Sequence, residues 1–207
     1  MGDLCRRLGD IPPDRVRSQL SPGSATIEDL LRPENACCEL VDGTLVEKAV
    51  GVKKSYLAGF IRDILSPYVR LHNLGMVTQG DGPWELISGI VRLPDVAFVS
   101  WNRLPNEEVP DDPVPNVVPD LAVEVISRSN TRSEIARKRG EYFQSGVRLV
   151  WEIEPRLRTV RVYRSFEVFE DLSDTDSLDG GEVIPGFSLS VAQLWKELDR
   201  RGNTKKA

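Results

Sequence analysis

Two carboxylates and one lysine in this sequence have types and spacing that suit metal-assisted chemistry on phosphate groups. Asp95 opens the apolar run 96–99, and Glu124 lies inside the apolar run 121–126. A carboxylate buried in such a run costs several kcal/mol unless another group compensates its charge. Lys138 lies on the helix predicted to follow. We therefore infer that a divalent cation and its substrate provide the compensation.

Hydrolysis of a phosphodiester needs a hard cation that neutralises the phosphate and lowers the pKa of the attacking water. Mg²⁺ is usually held by one or two carboxylates with waters and substrate oxygens, so Asp95 and Glu124 fit, and the backbone carbonyl of Val125 adds an oxygen. Lys138 would contact the nucleophile or the scissile phosphate as a point charge. We predict Mg²⁺ or Mn²⁺ as cofactor. Because the two carboxylates would repel each other, we expect a raised pKa for at least one of them without metal.

Both acids also have structural explanations. Asp95 could end a turn after Pro94, which is the commoner role of a Pro-Asp pair. Glu124 could form a buried ion pair with an arginine such as Arg148 or Arg161.

The predicted helix over residues 131–145 offers two rival cations. Its inward face should carry Ile135, Arg139, Tyr142 and Phe143, which places Lys138 at the edge, where a lysine usually extends into solvent. Arg139 would then be the more central cation. Glu39, on an earlier strand, could be a third acid near the site or an ordinary exposed strand residue.

A basic cluster stands out against the acidic chain, formed by Arg128, Arg132, Arg137, Lys138 and Arg139. It could grip phosphates beside the site. A solvated helix face, paired with Glu134 and Glu141, would explain most of it equally well.

Composition sets broad limits on the class of protein. The chain has 207 residues, of which 29% are charged, and a net charge of −5 that argues against tight nonspecific binding of nucleic acid. We see no apolar stretch of the roughly 20 residues of a membrane span and no secretory signal. Three cysteines in poor disulfide spacing fit a cytoplasmic protein, and the single histidine, His72, argues against His-rich zinc sites and a Ser-His-Asp triad.

The elements around these residues predict a mixed sheet. Asp42-Gly43 is a strong two-residue hairpin signal between strands at 37–41 and 44–49. A helix should start near Lys53 and be kinked or ended by Pro67. Further strands are predicted at 75–78, 84–87, 91–101, 121–127, 147–153 and 159–164, and helices at 131–145, with Thr131 and Glu134 as a capping box, and at 191–198.

We predict an α/β (α+β) fold, a central mixed β-sheet flanked by helices, in which strands 91–101, 121–127 and 147–153 are adjacent. The domain prediction is an irregular N-terminal arm (1–25), a single domain (26–199) and a frayed C-terminal tail (200–207).

Several motifs in order resemble the Uma2 family of restriction-endonuclease-like proteins. They are the segments 38–47, Leu93-Pro94-Asp95-Val96-Ala97 and 119–127, then Lys138, Tyr142, Gly146-Val147 and 151–155. The resemblance covers residues 38–198 and implies the PD-(D/E)xK nuclease fold with a divalent-metal site. It assigns Asp95 and Glu124 to the two acids of the motif.

The sequence departs from the family pattern at two places. The usual lysine two residues after the second acid is Ile126 here, so the resemblance gives that role to Lys138. The histidine that many relatives carry at the start of the first long helix is absent, and Lys53, Lys54 and Ser55 occupy that region.

Three functions remain open at this point. The leading hypothesis is a metal-dependent endonuclease, acting on DNA as a homodimer because two-strand cleavage is easiest with two sites. The alternatives are a catalytically inactive nuclease-fold module for binding or assembly, and a metal-dependent hydrolase of another phosphate ester.

Overall fold

The chain combines groups of strands with a few separating helices. Within residues 1–202, which the computed structural model of the protein describes, the chain forms twelve strands and five α-helices. The strands are β1 Cys38–Val41, β2 Thr44–Glu47, β3 Gly75–Gln79, β4 Trp84–Ile87, β5 Ile90–Arg92, β6 Val96–Ser100, β7 Leu121–Val125, β8 Leu149–Glu154, β9 Thr159–Tyr163, β10 Phe169–Leu172, β11 Ser177–Asp179 and β12 Ser188–Ser190. The helices are α1 Gly2–Arg7, α2 Ile27–Leu30, α3 Val52–Leu71, α4 Arg132–Ser145 and α5 Val191–Leu198.

The largest sheet has six strands in the order β10-β9-β8-β7-β6-β3. Only β7 and β8 in this sheet pair in parallel, and the other neighbours are antiparallel. A parallel pair needs a crossover connection, which α4 supplies. The mixed α/β fold and the adjacency of β6, β7 and β8 are therefore confirmed.

Helices cover both faces of this sheet. Successive strand residues point to opposite faces, so Val123 and Val125 pack into the core beneath α3 and α5. Ala122 lies on the other face with Tyr142 of α4, and Glu124 shares that face. Among residues 1–202, no helix is long and apolar enough to cross a membrane.

A second sheet, β2-β1-β5-β4, stands beside the first. Its β1–β2 hairpin turns at Asp42 and Gly43, whose φ angles of 49° and 63° both lie in the left-handed region. Two such residues define the type I′ turn that suits a tight hairpin, so the Asp-Gly prediction is confirmed. The pairing of β1 with β5 then carries Glu39 toward the segment that holds Asp95.

Two predicted boundaries were wrong. The strand predicted at 91–101 is divided, because β5 ends at Arg92 in one sheet, β6 starts at Val96 in the other, and Asp95 lies in the connection. Pro67 does not end α3, which continues to Leu71. Pro67 is exposed, so water can bind the carbonyl that loses its helical donor.

The N-terminal segment was predicted to be an irregular arm, but it contains α1 and packs against the hairpin. Its buried residues Leu4, Cys5, Leu8, Ile11 and Val16 form a cluster with Val41 and Val46. Arg15 donates two hydrogen bonds to Glu134, of 2.9 and 2.7 Å, and both side chains are buried. Thr131 caps α4 as predicted, but Glu134 is bound by Arg15 and Asn130 and does not complete a capping box. The predicted tail, 200–207, lies mostly outside the described residues.

The buried Arg15–Glu134 pair predicts a strong effect of the N-terminal segment on stability. Arg15→Ala leaves an uncompensated buried carboxylate and should lower the free energy of unfolding by about 3–5 kcal/mol, measured by urea denaturation. Arg6→Ala, which breaks an exposed pair with Asp3, is the matched control and should cost less than about 1 kcal/mol. Equal, small losses in both variants would contradict the prediction.

Candidate functional site

Asp95 is buried in the connection between the two sheets and is bound on both oxygens. It is 5% exposed. Its Oδ1 lies 2.7 Å from the Lys48 Nζ, and its Oδ2 lies 2.8 Å from the Lys54 Nζ. The backbone N–H of Val125 donates to Oδ2 at 2.8 Å. Asp95 therefore links the end of β7 to α3 and to the segment after β2.

Glu124 projects from the middle of β7 under α4. Its Oε1 accepts hydrogen bonds from the Tyr142 hydroxyl at 2.6 Å and from the Lys138 Nζ at 3.3 Å. Its Oε2 is buried without a hydrogen-bond partner among the described residues and lies 4.0 Å from the Lys54 Nζ. Asp95 and Glu124 thus converge on one ammonium group.

Lys138 connects this pair to Glu39. The Lys138 Nζ lies 2.8 Å from the Glu39 Oε1. Glu39 is completely buried, and it also accepts hydrogen bonds from the Leu93 N–H at 3.1 Å and from Arg92 at 2.8 Å. Glu39 therefore belongs to the same group of buried ion pairs as Asp95 and Glu124, and the alternative of an exposed strand residue is excluded.

These contacts form one series of alternating charges, which we call the charge chain. Its members in order are Lys48, Asp95, Lys54, Glu124, Lys138, Glu39, Arg92, Glu141 and Arg137. All except Arg137 are buried. The buried members include equal numbers of acids and bases, so the interior of the site is close to neutral.

The charge chain lowers the pKa of two of its carboxylates, those of Asp95 and Glu39. Burial alone would raise the pKa of Asp95, but the Lys54 and Lys48 ammonium groups outweigh it and lower that pKa. The raised pKa that we expected for one of the two acids is therefore wrong for Asp95. Burial is likewise outweighed at Glu39, whose pKa is lowered by Lys138 and Arg92. Burial would lower the pKa of Lys138, but Glu124 and Glu39 raise it.

On α4, Lys138 is more deeply buried than Arg139, which is the reverse of the prediction. Lys138 is 2% exposed, whereas Arg139 lies nearer the surface, 2.6 Å from Glu152 and over the ring of Tyr163. The buried face of α4 is charged and consists of Glu134, Ile135, Lys138, Glu141 and Tyr142. A helical wheel that looks for an apolar stripe cannot find such a face.

Neither arginine that we considered as a partner of Glu124 forms that pair. Arg148 binds Asp120, and Arg161 binds Asp171.

Three cations of the charge chain were not assigned from the sequence. Lys54 had a signal, because it lies on the buried stripe of α3 with Leu57, Ala58 and Ile61. Arg92 sits between buried Val91 and Leu93, which is also an unusual place for a free charge. Lys48 gives no comparable signal, because it follows β2 and its partners are distant in sequence.

A cavity of about 410 Å³ opens onto this cluster. Asp95, Lys48 and Lys54 line its wall, together with residues from the first half of α3 and from the β3–β4 turn. Gly80 in that turn comes so close that a Cβ there would meet the Lys48 Nζ at 2.8 Å. The cavity gives a small substrate group or a hydrated ion a path to Asp95.

The residues fit a magnesium-like ion better than a zinc-like one. No group of three or more His, Cys, Asp or Glu residues is placed to hold a metal within residues 1–202. Two convergent carboxylates remain, and the buried Oε2 of Glu124 has no hydrogen-bond partner in the described part of the chain. Mg²⁺ commonly takes one or two carboxylates and completes its shell with other oxygens, so these residues fit it.

The pairing of Glu39 predicts a loss of stability that depends on pH. Glu39→Gln leaves Lys138 and Arg92 undercompensated, so it should lower the free energy of unfolding by about 3–5 kcal/mol at pH 7. The folded pKa of Glu39 is lowered, so its contribution is present above the unfolded value of about 4.3 and declines as pH falls below it.

Chemical denaturation at pH 7 and pH 3 checks this prediction. The difference between wild type and Glu39→Gln should shrink at pH 3. Glu47→Gln is the control, because Glu47 pairs with Arg17 at the surface. A difference that stays constant between the two pH values would count against the buried ion pair.

Comparison with known proteins agrees with this fold. The chain superposes on the crystal structure of a protein from Anabaena variabilis, described as a "putative nuclease belonging to DUF820", with a TM-score of 0.73 and 18% sequence identity. The match covers 84% of this chain and 98% of the other, and at this identity it shows the shared fold. No curated protein matches the chain.

The family comparison covers the whole site. The model of the Uma2 family, described as "Putative restriction endonuclease", matches residues 25–192, which include Glu39, Asp95, Glu124 and Lys138. The resemblance noted from the sequence motifs is confirmed, and the chain belongs to the Uma2 family.

Proposed function

We propose that the protein is a Mg²⁺- or Mn²⁺-dependent endonuclease that hydrolyses phosphodiester bonds of DNA. The observation that carries this proposal is the convergence of Asp95 and Glu124 on one cation position beside an open cavity. Membership in the family described as "Putative restriction endonuclease" supports it. The homodimer and the cytoplasmic location stay predictions.

The protein ligands in this proposal are the carboxylates of Asp95 and Glu124 and the backbone carbonyl of Val125. The Val125 N–H already binds Asp95, so this residue is held at the site. A bound divalent cation supplies neutralisation of the phosphate charge and a lower pKa for the attacking water. Asp95 and Glu124 contribute the side-chain oxygens of this position, and the cavity at Asp95 admits the phosphate.

Lys138 acts as a fixed positive charge in this mechanism. Its raised pKa keeps it an ammonium at neutral pH, so it does not accept the proton of the attacking water. Glu39 holds the Lys138 Nζ against Glu124, and the Tyr142 hydroxyl donates to the same Glu124 oxygen. We infer that Lys138 stabilises the negative charge that develops on the scissile phosphate.

Metal titration and DNA cleavage test the proposal together. Calorimetry should detect Mn²⁺ binding to the wild-type protein, and Glu124→Gln should abolish most of it by removing an anionic ligand. A supercoiled plasmid should be cut by wild type with Mn²⁺ and not by the variant. Absence of metal binding would favour the inactive binding module, and metal binding with intact plasmid and oligonucleotides would favour a hydrolase of another phosphate ester.

Lys138→Met separates the catalytic charge from the metal ligands. It should leave the Mn²⁺ affinity within a few fold of wild type and lower the cleavage rate about 10²-fold or more, the scale for losing one transition-state interaction. Arg139→Ala is the comparison and should keep most of the turnover at saturating DNA, because Arg139 binds Glu152 and its loss should affect stability or substrate affinity more than turnover. Full activity in Lys138→Met and none in Arg139→Ala would assign the role of catalytic cation to Arg139 instead of Lys138.

Lys54 occupies the position where a cation shared by the two carboxylates would bind. Its Nζ is 2.8 Å from Asp95 and 4.0 Å from Glu124, so a metal ion at this position has to displace it. Lys54→Met should therefore tighten Mn²⁺ binding and lower the melting temperature in EDTA. Lys53→Met, which changes an exposed neighbour on α3, is the matched control. Weaker Mn²⁺ binding by Lys54→Met would contradict competition between lysine and metal.

A further inference from the structure

A second cavity, of about 520 Å³, lies at the C-terminal ends of β7 and β8 beside the first turns of α4. It shares no lining residue with the cavity at Asp95. Its lining contains Arg128, Arg132, Arg139, Arg156 and Arg161, and we call it the arginine cleft. Only Glu152 and Glu154 oppose them among the lining residues, although the whole chain carries a net charge of −5.

Among the residues that the structure describes, ion pairs neutralise the charge of only two of these five arginines. Glu152 is bound by Arg139, and Arg161 is bound by Asp171. Arg128, Arg132 and Arg156 form no ion pair and donate no side-chain hydrogen bond to any of residues 1–202. Concave surfaces with several uncompensated charges of one sign attract ligands of the opposite charge.

A solvated helix face would explain the basic cluster if Glu134 and Glu141 paired with its arginines. Both carboxylates already have partners. Glu134 is bound by Arg15 deep in the fold. Glu141 is bound by Arg92 and by Arg137. Within residues 1–202, Arg128 and Arg132 of the cluster are therefore left facing the cleft without a counter-charge.

Arg139 adds an unused donor to the cleft. Its guanidinium carbon lies 4.1 Å from the centre of the Tyr163 ring, and one terminal nitrogen binds Glu152. Its Nε is buried and has no hydrogen-bond partner within the described chain. Thr131 and Arg132 at the start of α4 also line the cleft, so the free N–H groups of that helix end add positive potential.

The arginine cleft lies next to the proposed catalytic acid. Glu152 in its lining is the register partner of Glu124 on the adjacent parallel strand. Neighbouring strands are about 4.8 Å apart, so a chain of phosphates that reaches the metal site can also reach the cleft. Arginine suits phosphate because its planar group donates in pairs to phosphate oxygens.

We propose that the arginine cleft binds backbone phosphates of a nucleic acid whose scissile phosphate lies at the Asp95–Glu124 site. The assignment to nucleic acid rests on the proposed function, whereas the charge and shape of the cleft do not. Binding through the cleft is local, so it is compatible with the acidic net charge.

Salt dependence of binding tests this proposal without any cleavage. Wild type and the triple variant Arg128→Ala/Arg132→Ala/Arg156→Ala are titrated in EDTA against a fluorescent DNA duplex and a single strand, from 50 to 300 mM salt. The slope of log affinity against log salt is negative. For each phosphate that the variant no longer neutralises, its magnitude should decrease by about 0.9 on the duplex and about 0.7 on the single strand. The affinity at low salt should fall as well.

A triple variant with the same change in net charge is the control. Arg6→Ala/Arg70→Ala/Arg200→Ala removes three exposed arginines outside the cleft and should keep the wild-type slope. Equal slopes for both triple variants, or no DNA binding by wild type, would overturn the cleft proposal. Calorimetry with adenosine monophosphate tests a small phosphate ligand. If this nucleotide binds tightly to wild type and weakly to the cleft variant, while the salt dependence of DNA binding is the same for both, the cleft binds a small phosphate ligand and the proposal is overturned.

The cleft proposal and the proposed nuclease function can fail independently. If wild type cuts no nucleic acid, but the DNA affinity of the cleft variant depends less on salt than that of wild type, the cleft proposal is supported and the proposed function fails. If the plasmid is cut and the slope is unchanged, the nuclease stands and the cleft proposal fails.

Discussion

Compensation of buried carboxylates is the constraint on which the rest of the structure depends. Glu39, Asp95, Glu124 and Glu141 lie in the interior, and each is held by lysine or arginine side chains from another element. Removing one partner of a buried pair costs about 3–5 kcal/mol, a large part of the stability of a typical domain. The charge chain therefore fixes how the hairpin, the two sheets, α3 and α4 fit together.

The same constraint shapes the chemistry of the site. The buried acids and bases balance, so under the proposed function a divalent cation would enter a position whose charge is already satisfied. Exchange with the Lys54 ammonium would add one net charge to the interior, whereas simple addition would add two. The binding energy of the ion would then be reduced by the ion pair that it replaces. In that proposal Lys54 combines a structural role with control over access to the carboxylates.

Sequence reasoning found the parts that depend on local pattern. The Asp-Gly hairpin, the buried strand around Glu124, the helix that ends at Gly146 and the order of the family motifs were all predictable, because short-range periodicity and turn chemistry determine them. The two acids could be singled out because charge is rare in apolar runs. Their partners Lys48 and Lys54 were not assigned, since these side chains reach the acids only through the folded arrangement, and the buried position of Lys54 on α3 was the one available signal. The depth of Lys138 was also missed, because α4 covers buried acids and has a charged inner face.

The charge chain also bears on the order in which the protein can be built. Glu39 and Lys138 are 99 residues apart in sequence, and Arg15 and Glu134 are 119 apart. During synthesis, the hairpin and the connection that holds Asp95 leave the ribosome well before α4 does. Asp95 can already pair with Lys48 and Lys54, and Glu39 with Arg92, because these cations leave the ribosome before α4. The Lys138 ammonium that bridges Glu39 and Glu124 arrives only with α4, so burial of Glu124 lacks this compensation until α4 docks.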